Sequence, residues 1–163
     1  MVGDDGTERA GGDPDPKAVY PRFAAAINRR DLDALDDLIA PDIVNHGAAP
    51  DDPPGAARFK RAFRALIAAC PDFRIDVEQQ IAEGDWVAVR WTDRGTDTGG
   101  FWGRPPTHRP IVLTGIDVIR VRRGRIVERW GEYDLLSVLQ TLGIVAERLA
   151  EPPEGADAGA RPS

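Results

Sequence analysis

A single cysteine, Cys70, and two histidines, His46 and His108, set the first limits on what this chain can do. One cysteine forms no internal disulfide and fits a reducing compartment. It precedes Pro71, far in sequence from either histidine, and reads as a helix residue rather than a nucleophile. Neither His-Glu-x-x-His nor Cys-x-x-Cys spacing occurs, so no metal site is expected. Positive charge is also short: the net charge is -6, and no basic stripe with interleaved aromatics offsets it, which argues against nucleic acid as a partner. No apolar run reaches membrane-spanning length and the start has no basic segment followed by an apolar stretch, so no membrane partner and a cytoplasmic location are expected. The glycine-rich stretch from Gly95 to Gly103 lacks the Gly-Lys-Ser/Thr ending of a phosphate loop. No internal repeat is evident.

What is present is the composition of one globular domain: 163 residues, 42% hydrophobic and 29% charged. Residues 1–15 and 150–163 are dominated by Gly, Ala, Pro, Asp and Glu without periodic apolar positions and read as disordered tails around a domain at 16–149. Within it, Ala18, Phe23, Ala26 and Ile27, then Leu32, Leu35, Leu38 and Ile39, recur at helical spacing and predict a helical pair, the second member capped by Asp31 and stopped by Pro41. Ile43 and Val44 predict a short strand. Phe59, Phe63, Leu66 and Ile67 mark a third helix over 56–69, ended by Pro71.

Beyond Pro71 the period changes to two. Phe73, Ile75, Val77 and Ile81 predict one strand and Trp86 to Trp91 the next, joined by the turn Glu83-Gly84-Asp85. After a Gly- and Pro-rich loop, residues 111–121 are continuous and β-branched enough to predict a strand covered on both faces. A further strand, 126–133, precedes a short helix, 135–142, capped by Asp134 and stopped by Gly143. Strands that follow one another without intervening helices imply an α+β fold with an antiparallel sheet.

Several short pieces occur together in order: Pro41-Asp42-Ile43-Val44-Asn45-His46, Cys70-Pro71-Asp72-Phe73, Glu83-Gly84-Asp85-Trp86-Val87, Gly103-Arg104-Pro105-Pro106-Thr107 and Gly124-Arg125-Ile126-Val127-Glu128-Arg129-Trp130, closed by Leu139-Gln140-Thr141-Leu142-Gly143. In this order, over Val19 to Gly143, the chain resembles the SnoaL-like polyketide cyclases of the nuclear transport factor 2-like superfamily. The resemblance implies a cone-shaped, curved antiparallel sheet wrapped around helices with a deep pocket, an apolar, carbonyl-bearing small-molecule substrate, a homodimer, and aldol cyclisation or isomerisation driven by carboxylate acid/base chemistry without a cofactor. It also implies that the acid/base aspartate position of those cyclases falls on Gly131, their pocket histidine on Asp117 and their pocket asparagine on Asn45. Limonene-type epoxide hydrolases share the fold and place an aspartate at the Gly131 position, and their Arg-x-Asp pattern is not evident here.

Alternation along the strands nominates replacements. Leu113, Gly115, Asp117 and Ile119 share one face, as do Val127, Arg129 and Gly131 on the following strand. Asp117, alone among Ile, Val and Leu, would be costly to bury unpaired. It is the leading proton carrier, held by Arg129 or Asn45; the competing reading is a structural ion pair with Arg129. Glu132 is a second catalytic candidate, provided that a bulge at Gly131 reverses its face. His46 is a third, against the reading of a turn histidine bonding backbone. Tyr20 and Tyr133 could offer phenol donors, Trp102 with Phe101 could cover the pocket, and Trp91 and Leu113 complete the substrate-binding set, with ordinary packing as the alternative for each. His108 is expected to face solvent. Two classes stay open: the enzyme just described, or a non-catalytic binding or assembly module that kept the pocket. An apolar second sheet face supports the homodimer.

Overall fold

The computed structural model describes residues 14–145. The tails expected at 1–15 and 150–163 therefore lie outside the described residues, apart from Pro14 and Asp15. Asp15 opens the fold: its side chain accepts from the Lys17 amide (3.0 Å) and caps a 3-10 turn, Pro16–Ala18. That turn leads into α1 (Val19–Asn28), which presents Tyr20, Phe23 and Ile27 to the core at helical spacing and carries Pro21 in its first turn, where no amide partner is lost. At the far end Asn28 bonds both backbone groups of Ile75, giving at 2.9 Å and accepting at 2.8 Å, and so fixes α1 to the next strand pair.

The second predicted helix shrinks to one turn, α2 (Leu35–Leu38), although Asp31 does cap the approach by accepting from the Ala34 amide. Ile39 already belongs to β1 (Ile39–Asn45), so the expected stop at Pro41 falls inside a strand. Proline is tolerated there because β1 is an edge strand and its register with its neighbour is interrupted between Ile39 and Val44. α3 (Ala56–Ala69) matches its predicted span.

β2 (Arg74–Glu83), β3 (Trp86–Thr96), β4 (Pro110–Arg122) and β5 (Arg125–Tyr133) form an antiparallel meander, and β1 adds to β5 in parallel, giving the order β1-β5-β4-β3-β2. This is the α+β fold expected, with a correction: β1 is a full parallel edge strand. β3 also runs five residues past Trp91, which places Asp93 in the sheet. Register shifts at Val77/Gln79 and Arg120/Val121 mark bulges that curve the sheet around α1 and α3 into an open cone. α4 (Leu135–Thr141), capped by Asp134 through the Ser137 amide at 3.1 Å, closes one end with Val138 and Leu142 buried.

The concave face holds the core, where Tyr20, Phe23, Phe59, Phe63 and Phe73 pack ring against ring. The convex face is open: Val112, Ile116 and Val118 of β4 are exposed, against the expectation of a strand covered on both sides. Among the described residues no helix is long and apolar enough to cross a membrane.

Candidate active site

The cone encloses a cavity of about 530 Å³ between α1, α3, α4 and the inner sheet face. Its wall is aromatic and aliphatic for most of its extent, with Asp93, Arg94, Asp117 and Arg129 as the charged exceptions and the Tyr20 and Tyr133 hydroxyls and the Cys70 thiol among its polar groups. A volume of this size accepts a ligand of several rings, and few polar groups in an apolar wall are the usual composition of a specific small-molecule site.

Asp117 is 2% exposed. Alternation along β4 points it inward beside Leu113, Gly115 and Ile119, and its pairing partner across β5 is Gly131. Two donors hold it: the Tyr20 hydroxyl gives to Oδ2 at 2.6 Å and the Arg129 guanidinium gives to Oδ1 at 2.7 Å. Each carboxylate oxygen has a second lone pair, so acceptor capacity remains on both. Arg129 in turn lies over the Phe59 ring at 5.7 Å. Burial first, and the Asp117 charge second, push the Tyr20 phenol well above its ordinary range, so the hydroxyl stays a donor.

Gly131 explains how the pair fits. A Cβ at that position would meet Asp117 Oδ1 at 2.6 Å and would come closer still to the Arg129 guanidinium. The position at which the resemblance puts an acid/base aspartate is thus vacated, and the carboxylate of the cross-strand residue occupies the space. Gly115 does the same for Trp91, whose indole fills the room that a side chain there would take.

Of the residues nominated from sequence, Tyr20, Trp91, Trp102, Leu113, Asp117, Arg129 and Tyr133 all line the cavity. Three do not. Glu132 is exposed on the outer face: the bulge between β4 and β5 falls at Arg120/Val121 rather than at Gly131, so alternation is kept and Glu132 pairs with Ile116. His46 lies outside as well, stacked on Trp130 with ring centroids 3.8 Å apart and paired with Glu128 at 3.1 Å. Asn45 accepts from the Gly47 amide at 3.3 Å and lies off the cavity wall, with no bond to Asp117. His108 is exposed, as expected.

Sequence reasoning missed two aspartates. Asp97 is 1% exposed and accepts from the Gly100 amide (3.0 Å) and from the Thr107 amide and hydroxyl (both 2.8 Å), which folds the Gly- and Pro-rich loop so that Phe101 and Trp102 reach the cavity mouth. Asp93 lines the cavity itself, and burial, then the charges of Asp117 and Asp76, push its carboxyl up to about 8. Cys70 is also on the wall, but burial pushes its thiol up to about 11, which keeps it from being a thiolate nucleophile at neutral pH. Among the described residues no three His, Cys, Asp or Glu side chains gather as a metal site.

A curved α+β cone around an apolar cavity with a buried, doubly held carboxylate defines a small-molecule pocket protein. Residues 17–142 match the SnoaL-like polyketide cyclases, and the chain belongs to that family. Among solved structures, IdmH from Streptomyces antibioticus, described as a proposed polyketide cyclase, is 36% identical with a TM-score of 0.70, over 80% of this chain and 99% of its own. AclR from Streptomyces galilaeus, described as a proposed hydroxylase, is 29% identical with a TM-score of 0.71, over 83% and 85%. TsrD from Streptomyces laurentii is 26% identical with a TM-score of 0.71, over 79% and 95%. No curated protein matches the chain.

Proposed function

We propose that this protein is a cyclase- or isomerase-type enzyme that acts on an apolar, carbonyl-bearing, polyketide-like small molecule by carboxylate acid/base chemistry, with Asp117 as proton carrier and no cofactor. Membership of the cyclase family supports the cyclase-type role. The observation that carries the residue assignment is Asp117 itself: a carboxylate on the cavity wall, held on one oxygen by Tyr20 and on the other by Arg129. In this reading Asp117 takes a proton from carbon next to a substrate carbonyl. The substrate's own carbonyls spread the resulting charge, the carbanion closes on a second carbonyl, and the proton returns to the new alkoxide. Tyr20 and Arg129 orient the carboxylate, and the aromatic wall excludes water.

An aryl-capped 3,5,7-triketo ester, whose C2 can close on the C7 ketone as a six-membered ring, tests this. Ring closure above the buffer rate is expected, falling by roughly 10²- to 10⁴-fold in Asp117→Asn. A variant that closes the ring as fast as the parent removes Asp117 from the chemistry.

The Asp117–Arg129 pair also favours a second reading, a binding module in which the pair is structural and the cavity only holds its ligand. Tight binding of the triketo ester with no ring closure in the parent protein would select that reading. The cytoplasmic location and the homodimer belong to the same proposal. The exposed apolar residues Val112, Ile116, Val118 and Trp130 on the outer sheet face support self-association.

A further inference from the structure

The chemistry proposed for Asp117 leaves two buried polar atoms on the same wall without partners. Trp91 and Asp93 are two residues apart on β3, so they project from the same face, with Trp91 opposite Gly115 and Asp93 opposite Leu113 on β4. Trp91 is 5% and Asp93 7% exposed, and both line the cavity. The indole Nε1 has no acceptor and Asp93 Oδ1 has no donor. An orphaned buried polar group is costly, and two of them side by side on a cavity wall call for a partner that the protein itself does not supply.

The chemistry of that partner follows from what surrounds Asp93. Tyr20 and Arg129, the hydroxyl and the cation best placed to hold a carboxylate in the cavity, are committed to Asp117. With its carboxyl pushed up to about 8, Asp93 carries its proton at neutral pH and is a donor, as the indole is. Two donors fit an atom that only accepts. A ketone or ester carbonyl oxygen meets that condition; an amine or ammonium group would leave the indole N–H unanswered.

We propose that Asp93 and Trp91 Nε1 form a two-donor subsite that receives a carbonyl oxygen of the substrate, at a distance from the carbon on which Asp117 works. Asp93 and Asp117 stand four residues apart along the inner face, about 13 Å at the backbone. One molecule reaching both therefore has a carbonyl at one end and an acidic carbon towards the other, which is the pattern of a chain of alternating ketones. The assignment rests on the reading of Asp117 as a base and adds the group by which the substrate is recognised and oriented.

The test uses 2-acetylnaphthalene carrying ¹³C at its carbonyl, a probe that reports hydrogen-bond donation without turnover. A downfield shift of the carbonyl signal is expected on binding to the parent protein. It should be lost in Asp93→Leu, reduced in Trp91→Phe, and retained in Asp93→Asn, whose amide N–H still donates. In the parent the shift should fall as pH rises through about 8, and in Asp93→Asn it should not. The other titratable or charged groups facing this space are Tyr20 from α1, Cys70 after α3, Arg94 from β3, Asp117 from β4, and Arg129 and Tyr133 from β5, while Asp76 on β2 adds its charge from off the wall. Tyr20 and Cys70 are pushed well above this range, so the Asn variant isolates Asp93.

A full shift in Asp93→Leu with the ketone still bound, or no binding of the ketone to the parent, overturns the subsite. If Asp93→Leu does not fold, Trp91→Phe and the pH dependence decide alone. Ring closure that survives Asp117→Asn while the carbonyl shift stays intact would instead overturn the base and leave the subsite standing.

Discussion

On the outside of the sheet, carboxylates lie beside basic side chains near water: Asp85, in the turn between β2 and β3, with Arg120 at 2.8 Å, and Glu128 with His46 at 3.1 Å. On the concave face, Asp117 is sealed under Tyr20 and Arg129, and Asp93 Oδ1 has no donor. Surface pairs of the first kind contribute about 0–1 kcal/mol and mark no site. A buried acid without a cation is expensive, and a fold that keeps one has placed it where a ligand can answer it. The same residue type therefore carries different information depending on which way a strand residue points.

The largest expected effect breaks the inner face at Asp93. Its folded-state carboxyl titrates at about 8, above the ordinary 3.8 of an unfolded chain. Below pH 4 both states hold the proton and burial of Asp93 costs no ionisation. As pH rises the unfolded chain releases the proton and the native state does not, so stability declines between about pH 4 and 8 and levels off above. The ceiling on this loss is on the order of 5 kcal/mol. Urea unfolding of Asp93→Asn against the parent across that range should show a difference in favour of the variant that grows with pH. Acids held low by partners, such as Asp72 through its bonds from Thr96 and Asp85 through Arg120, act in the opposite direction as pH falls, and they cancel in the comparison. A difference that stays flat with pH would mean that Asp93 is ionised in the native protein.

A smaller effect sharpens the account of Gly131. Ala at this position puts a methyl group against Asp117 Oδ1 and the Arg129 guanidinium, both already held by hydrogen bonds. Overpacking of this kind costs about 1–3 kcal/mol. Gly131→Ala is expected to lower the urea midpoint and to slow ring closure of the triketo ester together. Loss of stability with unchanged ring closure would separate the pair from the chemistry.

Much of this was legible from the chain. Alternation placed Asp117 and Arg129 inward together, and the cavity wall includes both. The same rule placed Glu132 outward unless a bulge intervened, and the bulge lies at Arg120/Val121 instead. Where the pattern gave out, the reason is local. Asp93 and Arg94 interrupt the apolar run after Trp91, so period-two reading ends the strand there, while backbone pairing with β4 continues to Thr96. The parallel pairing of β1 depends on contacts with β5, more than eighty residues away in sequence, and Pro41 reads locally as a stop. Asp97 bonds three groups up to ten residues away in a loop whose composition signals only turns.

The smallest effect on the fold tests the outer face. Ile116 is 51% exposed and stands between Arg90 on β3 and Glu132 on β5. A lysine there has one like and one opposite neighbour across the strands, so Ile116→Lys should change the stability of the folded chain by no more than about 0.5 kcal/mol. If two copies bury this face against each other, the same substitution places two added charges in an apolar contact, and light scattering should give half the parent mass. Ring closure and the carbonyl shift of the bound ketone should both survive, because no atom of Ile116 reaches the cavity wall. A parent that is already monomeric removes the second copy. A monomeric variant that has lost ring closure would mean that the two faces are coupled, and the separation between a chemical inside and an associating outside would fail.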